Sequence, residues 1–169
     1  MLRLLCPDIY LDSIYELDLN KLKIKGIKGI ITDLDNTLIP WGESTVMPEL
    51  EEWFRYLKEN DFKVCIVSNN SLGRVKVFAD TLDIPAIPKA VKPRRGAFRL
   101  ALSKMGITLD EAAVLGDQIF TDVLGGNRLG LFTVLVIPVS EREFIGTQVV
   151  RKVERYILKR LKCKGMLRY

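Results

Sequence analysis

Short runs of branched and apolar residues recur along this 169-residue chain, each stopping at a polar cluster before a helical pattern begins. Residues 26–32 stop at Asp33-Leu34-Asp35, residues 64–67 at Ser68-Asn69-Asn70 and residues 112–115 at Gly116-Asp117-Gln118; residues 131–137 form a last run and 84–88 a weaker one. Short, continuously apolar runs suit strands buried on both faces. The stretches between them have helical period. Pro48 reads as the first residue of a helix, with Glu49, Glu51 and Glu52 in its first turn and Leu50, Trp53, Phe54 and Leu57 as its buried stripe. Residues 72–82 turn Val75, Phe78, Ala79 and Leu82 inward, and a third helix carries Phe98, Ala101, Leu102 and Met105 up to Gly106, where a left-handed cap belongs. A fourth opens at Thr121-Asp122 and stops at Gly130. This alternation predicts a three-layer, doubly wound, mostly parallel sheet with helices on both faces. Residues 1–169 read as a single domain, with residues 7–20 an irregular or short helical lead-in.

Composition limits the chemistry. With no histidine, Ser-His-Asp and Cys-His catalysis and histidine metal sites are excluded, so catalysis must rest on Asp, Glu, Lys, Ser or Thr. The three cysteines, Cys6, Cys65 and Cys163, form no CxxC pair and suit a reducing compartment, with Cys65 expected simply to pack. Pro7 interrupts the N-terminal apolar stretch too early for a signal peptide, and no run approaches the roughly 18 residues of a membrane span. A soluble, cytoplasmic protein is expected.

In an open α/β sheet the ligand lies beyond the carboxyl ends of the strands. There the chain gathers Asp33, Asp35, Ser68, Lys92, Asp117 and Asp122 from four separate segments. Asp33 and Asp35, two apart on an extended backbone, project the same way. At about 4 Å two like charges repel by roughly 4 kcal/mol at an effective dielectric of about 20, so the pair calls for a cation. The set supplies a candidate nucleophile, a hydroxyl donor, a fixed cation and a carboxylate cluster suited to Mg²⁺, the parts of phosphoryl transfer.

Asp33-x-Asp35-x-Thr37, Ser68-Asn69-Asn70, Lys92-Pro93 and Gly116-Asp117-x4-Asp122 resemble, in order, the four motifs of haloacid-dehalogenase-like phosphatases, and cover residues 27–138. Asp33-Leu34-Asp35-Asn36-Thr37-Leu38, Ser68-Asn69-Asn70-Ser71 and Gly125-Gly126-Asn127-Arg128 are similar to the YqeG-like branch of subclass IIIA and to phosphatidylglycerophosphate phosphatases. The resemblance implies a Rossmann-like core and a Mg²⁺-dependent phosphomonoesterase. It makes Asp33 the nucleophile that becomes an aspartyl-phosphate and Asp35 the acid/base, whose backbone carbonyl also reaches the metal. Ser68 and Lys92 complete the catalytic set, Thr37, Ser68, Asn69 and Lys92 contact phosphate, and Asp33, Asp35, Asp117 and Asp122 hold the metal.

Only nine residues separate Leu38 from Pro48, and 23 separate Ser68 from Lys92, so no cap domain fits in either place. Capless members of the family resemble enzymes acting on large or surface-bound phosphates, and the expected partner is a phosphorylated substrate, with a membrane phospholipid the favoured kind. Residues 150–169 hold Arg151, Lys152, Arg155, Lys159, Arg160, Lys162, Lys164 and Arg168 against Glu154, a local +7 in a chain of net +5. Helical spacing over 145–163 predicts an apolar stripe of Ile145, Val149, Val153, Tyr156, Ile157 and Leu161 packed on the sheet, with the cations outward and available to an anionic membrane at the cytoplasmic face. No aromatic platform or reading motif points to nucleic acid. Three other readings stand beside this one: a phosphatase of nucleotides, sugars or proteins, a receiver-like signalling domain, and a non-catalytic RNA- or ribosome-associated protein.

Overall fold

In a computed structural model describing residues 2–142 and 145–168, apart from the Ile145 side chain, six parallel strands form one sheet. The strands are β1 (Ile9–Leu11), β2 (Gly29–Thr32), β3 (Lys63–Val67), β4 (Ala86–Ile87), β5 (Ala112–Gly116) and β6 (Phe132–Val136). Their order is β1-β6-β5-β2-β3-β4. The helices are α1 (Leu19–Ile24), α2 (Pro48–Glu59), α3 (Leu72–Leu82), α4 (Arg95–Met105), α5 (Leu124–Asn127) and α6 (Ile145–Cys163). The chain leaves β2 toward β3 and β4, then returns to lay β5 on β2's other side, with Thr32 opposite Leu115. That reversal opens a crevice between the ends of β2 and β5, the position where doubly wound sheets bind ligands.

The central strands bury both faces, as their unbroken apolar runs require. Ile30, Val64, Ile66, Ala113 and Leu115 pack with α1, α2 and α3; Ile31, Cys65, Val67, Ala112 and Val114 pack with α4 on the other face. Burial pushes the Cys65 thiol up to about 12, which fits a packing residue. α3 has the expected bounds, and α4 ends at Gly106 in the left-handed conformation, φ 62°. Between Leu38 and Pro48, and between Ser68 and Lys92, the described residues hold only loops, α3 and β4, so the carboxyl edge of the sheet has no cap.

Two expectations need correction. Residues 7–20 include a strand: β1 pairs with β6, Ile9 opposite Val134, and α1 follows, capped by Asp18, which accepts the Lys21 N–H. The termini interlock here, with the Tyr10 N–H donating to the Arg168 carbonyl at 2.7 Å and Asn127 donating to the Leu4 and Cys6 carbonyls. α6, for its part, is rotated from its expected facing. Ile157 and Leu161 are buried, but Val149, Val153 and Tyr156 face solvent, while Glu154 and much of Arg151 turn inward; the Ile145 side chain lies outside the described residues. This facing brings Arg151 of α6 onto the buried Asp117 carboxylate at the end of β5.

Candidate active site

Beyond β2 the chain turns sharply, the Leu38 N–H donating to the Leu34 carbonyl at 2.9 Å. Leu34 and Leu38 sink into the core; between them Asn36 and Thr37 are buried too, and Asp35 reaches the cleft. The Asp33 N–H still bonds the Leu115 carbonyl of β5, at 3.0 Å, so its position is set by the sheet. Asn36 completes the turn at φ 62°, a left-handed position that asparagine tolerates. Asp33 and Asp35 both line a cleft of about 370 Å³, together with Ser68, Asn69 and Lys92. A larger groove of about 810 Å³, between Phe54, Phe62, Ile84 and Met105, is lined by none of them.

Among the four cations of its loop, Lys89, Lys92, Arg94 and Arg95, Lys92 is the buried one. Its Nζ lies 2.9 Å from Asp33 Oδ1 and 2.6 Å from Asp122 Oδ1. Burial alone would lower the lysine's pKa, but the Asp122 and Asp33 carboxylates outweigh it and hold the amine protonated above its ordinary range. Asn69 fixes the lysine, accepting its backbone N–H at 2.7 Å and donating to its carbonyl at 3.4 Å. Ser68 Oγ accepts the Asn70 N–H at 3.2 Å, which leaves its own proton free to be donated into the cleft.

Asp117 and Asp122 stand behind the cleft at the end of β5. Asp122 accepts the Gln118 N–H at 3.2 Å from within a wide helical turn, Ile119–Val123. It comes so near β5 that a Cβ on Gly116 would lie 2.3–2.5 Å from its side-chain atoms, so residue 116 must be glycine. Asp117 accepts the Thr37 hydroxyl at 2.8 Å on one oxygen and the Arg151 guanidinium on the other; Arg151 also donates to the Asp117 carbonyl and to Glu154 Oε2. Burial raises Asp33 and Asp117 to about 6, with Lys92 and Arg151 respectively opposing, and raises Asp122 against Lys92 in the same way.

The structure thus brings Asp33, Asp35, Ser68, Asn69 and Lys92 to one cleft with Asp117 and Asp122 behind them. Thr37 departs from its expected part as a phosphate contact. It is fully buried, and its hydroxyl is committed to Asp117. Asp35 stands apart from the other carboxylates, its oxygens taken by Asn70 Nδ2 at 2.8 Å and Arg74 Nε at 2.7 Å, so its side chain is no member of the buried cluster. Arg74 and Arg151 are the residues sequence reasoning missed. Arg74 carried a faint signal, a cation in the first turn of a helix where the dipole disfavours it. The signal for Arg151 was Glu154, a lone acid in a basic tail.

Asp33, Asp117 and Asp122 offer oxygens that all lie within 4.8 Å of one another, the only such group of metal-suited side chains among the described residues. With Glu154 they make four buried carboxylates facing the cations Lys92 and Arg151. Hard oxygen donors and excess negative charge fit Mg²⁺.

The chain is similar to known proteins in sequence and in fold. Residues 39–130 match the haloacid dehalogenase-like hydrolase family. The chain is 47% identical over 163 residues to a Bacillus subtilis protein described as "Probable phosphatase YqeG", covering 96% of this chain and 95% of that one. It is 32% identical to phosphatidylglycerophosphate phosphatase 1, chloroplastic/mitochondrial, of Arabidopsis thaliana, over 95% of this chain but only 49% of that protein. The cobalt-bound deoxy-D-mannose-octulosonate 8-phosphate phosphatase of Haemophilus influenzae shares the fold, with a TM-score of 0.54 over 81% of this chain and 90% of that one at 16% identity. A family match across more than half the chain, and a phosphatase relative along nearly all of it, lead to one conclusion: the chain belongs to the haloacid dehalogenase-like hydrolases, as one of their phosphatases.

Proposed function

We propose that the chain is a Mg²⁺-dependent phosphomonoesterase that works through an aspartyl-phosphate on Asp33, with a phosphatidylglycerophosphate-type lipid as substrate. The observation that carries this reading is the setting of Asp33, whose carboxylate faces the cleft 2.9 Å from the buried ammonium of Lys92 and beside Ser68. Asp33 Oδ attacks phosphorus, the ester P–O bond breaks, and the leaving oxygen takes a proton from Asp35. The Asp35 carboxylate then accepts a proton from water as that water attacks phosphorus. The Asp33–phosphorus bond breaks, inorganic phosphate departs and Asp33 is restored. Lys92 and the Ser68 hydroxyl hold phosphoryl oxygens, while Asn70 and Arg74 orient Asp35. Asp33, Asp117 and Asp122, with the Asp35 backbone carbonyl, would hold Mg²⁺, which when bound offsets phosphoryl charge.

The lipid substrate is supported by similarity to the Arabidopsis enzyme and by the uncapped cleft. The described residues contain no helix long and apolar enough to cross a membrane, which suits a protein working from the cytoplasm at a membrane surface. Hydrolysis of p-nitrophenyl phosphate, with and without Mg²⁺, tests the chemistry. Asp33→Asn is expected to lose turnover and covalent phosphate capture. Asp35→Asn, keeping the nucleophile, is expected to trap phosphate on Asp33 and release it slowly. Wild-type turnover in Asp33→Asn would sink the mechanism, and phosphate release across lipids, nucleotides, sugars and phosphopeptides decides the substrate.

A further inference from the structure

Three apolar side chains on the segments that border the cleft face solvent. Trp41 is 42% exposed and lines the cleft; Val91, 54% exposed, precedes Lys92; Val139 is 54% exposed. Asn36 pins two of them, its side chain accepting the Trp41 N–H at 3.0 Å and its carbonyl the Val139 N–H at 2.9 Å. Val91 is held at φ 56°, a sparsely populated conformation for a β-branched residue, against a loop that Asn69 clamps at Lys92. Single exposed apolar residues are ordinary, but three held by the segments that form one cleft, with cations beside them, have a use.

The border is cationic. Arg94 and Arg95 are exposed where α4 begins, a position the helix dipole disfavours for cations, and no acid in the first turn offsets them. Lys89 stands alongside in a left-handed conformation, φ 49°.

We propose that this rim docks the mouth of the cleft onto an anionic lipid bilayer, with Trp41, Val91 and Val139 entering the interface and Arg94 and Arg95 facing the head groups. The inference rests on the lipid reading above and names the surface that would present the substrate. A stable protein partner needs a continuous face of about 800 Å² per side. Separated apolar tips between cations suit an interface in which each tip is solvated by lipid and each cation by phosphate.

Trp41 reports the docking, because the other tryptophan, Trp53, is 6% exposed within the core. At low ionic strength, vesicles of phosphatidylglycerol and phosphatidylcholine should shift its emission to the blue. Pure phosphatidylcholine vesicles should not, and Trp41→Phe should remove the shift. In a Val91→Asn/Val139→Ser variant, whose asparagine keeps the left-handed backbone, vesicle affinity should fall by about tenfold or more while p-nitrophenyl phosphate turnover stays unchanged. The double variant Arg94→Gln/Arg95→Gln should behave likewise, and added salt should mimic it. No shift on anionic vesicles, or an undiminished shift in the valine variant, overturns the proposal. An equal shift with a single-stranded oligonucleotide also overturns it, assigning the surface to nucleic acid. Rim-dependent binding without release of lipid phosphate supports the docking and removes the lipid substrate alone.

Discussion

Arg151→Ala separates an arginine that holds buried carboxylates from a merely basic tail. The substitution strips the side chain and carbonyl of Asp117, and Glu154, of their shared cation in a setting where those side chains are 0% and 4% exposed. Asp117 keeps the Thr37 hydroxyl, and Glu154 the Phe120 N–H. Removing one partner of a buried ion pair costs about 3–5 kcal/mol. The lower end applies here, because Arg151 is 13% exposed and Asp117, already raised to about 6, can take up a proton instead. At pH 7.5 in EDTA the variant should lose about 3 kcal/mol; with a urea slope of about 2 kcal/mol/M, its midpoint falls by roughly 1.5 M. By pH 5 both proteins carry Asp117 largely protonated, and most of the difference should vanish. Arg155→Ala, on the exposed face, should stay within about 0.5 kcal/mol of wild type. Arg151→Lys should rescue only in part, since one ammonium cannot reproduce the forked contact. Urea unfolding followed by circular dichroism reads all of these. If Arg151→Ala unfolds with Arg155→Ala at pH 7.5, the guanidinium does not hold Asp117 in solution.

The buried aspartates make a second prediction through pH. Asp33 and Asp117 bind protons more tightly when folded, at about 6, than at the ordinary value of 3.8, and Asp122 shifts the same way. Their contribution to stability is therefore fully present below the unfolded value and lost as pH rises through about 6. The melting temperature in EDTA should fall between pH 5 and 7.5, and saturating Mg²⁺ should restore it; a rise over that window would contradict the sign. Gly116→Ala should push Asp122 off its position, at a cost of about 1–3 kcal/mol, and raise the Mg²⁺ needed for turnover. Thermal melts and Mg²⁺ titrations like those of wild type would refute it.

The central strands and the site edge were legible because their signals are local. A buried strand is a short apolar run, and Asp33, Ser68 and Asp117 each follow one directly. The bounds of α3 and the Gly106 cap of α4 are likewise written within a few residues of themselves. β1 was hidden because three half-buried residues after a proline carry no pattern, and their partner lies 125 residues away. The period of α6 was readable but not its facing. Counting apolar residues turned Val149, Val153 and Tyr156 inward, whereas the buried charge of Asp117 turned Arg151 inward. Thr37 was read by its motif as a phosphate contact, when its nearest acceptor lies 80 residues along the chain.

The joining of the two termini has a consequence for dissection of the molecule. β6 is flanked on its outer side by a strand from the first dozen residues, and that strand is itself bonded to residue 168. A fragment ending before residue 132 leaves Ile9–Leu11 with no strand to pair, and one beginning after residue 11 bares the outer edge of β6. Any single cut between residues 11 and 132 parts β1 from β6, whereas a cut after residue 136 keeps all six strands but removes α6. The carboxylates at the end of β5 take their neutralising arginine from the same late segment that closes this seam. Trimming the N-terminal end past residue 11 therefore alters the sheet, and trimming the C-terminal end past Arg151 alters the charge balance behind the cleft.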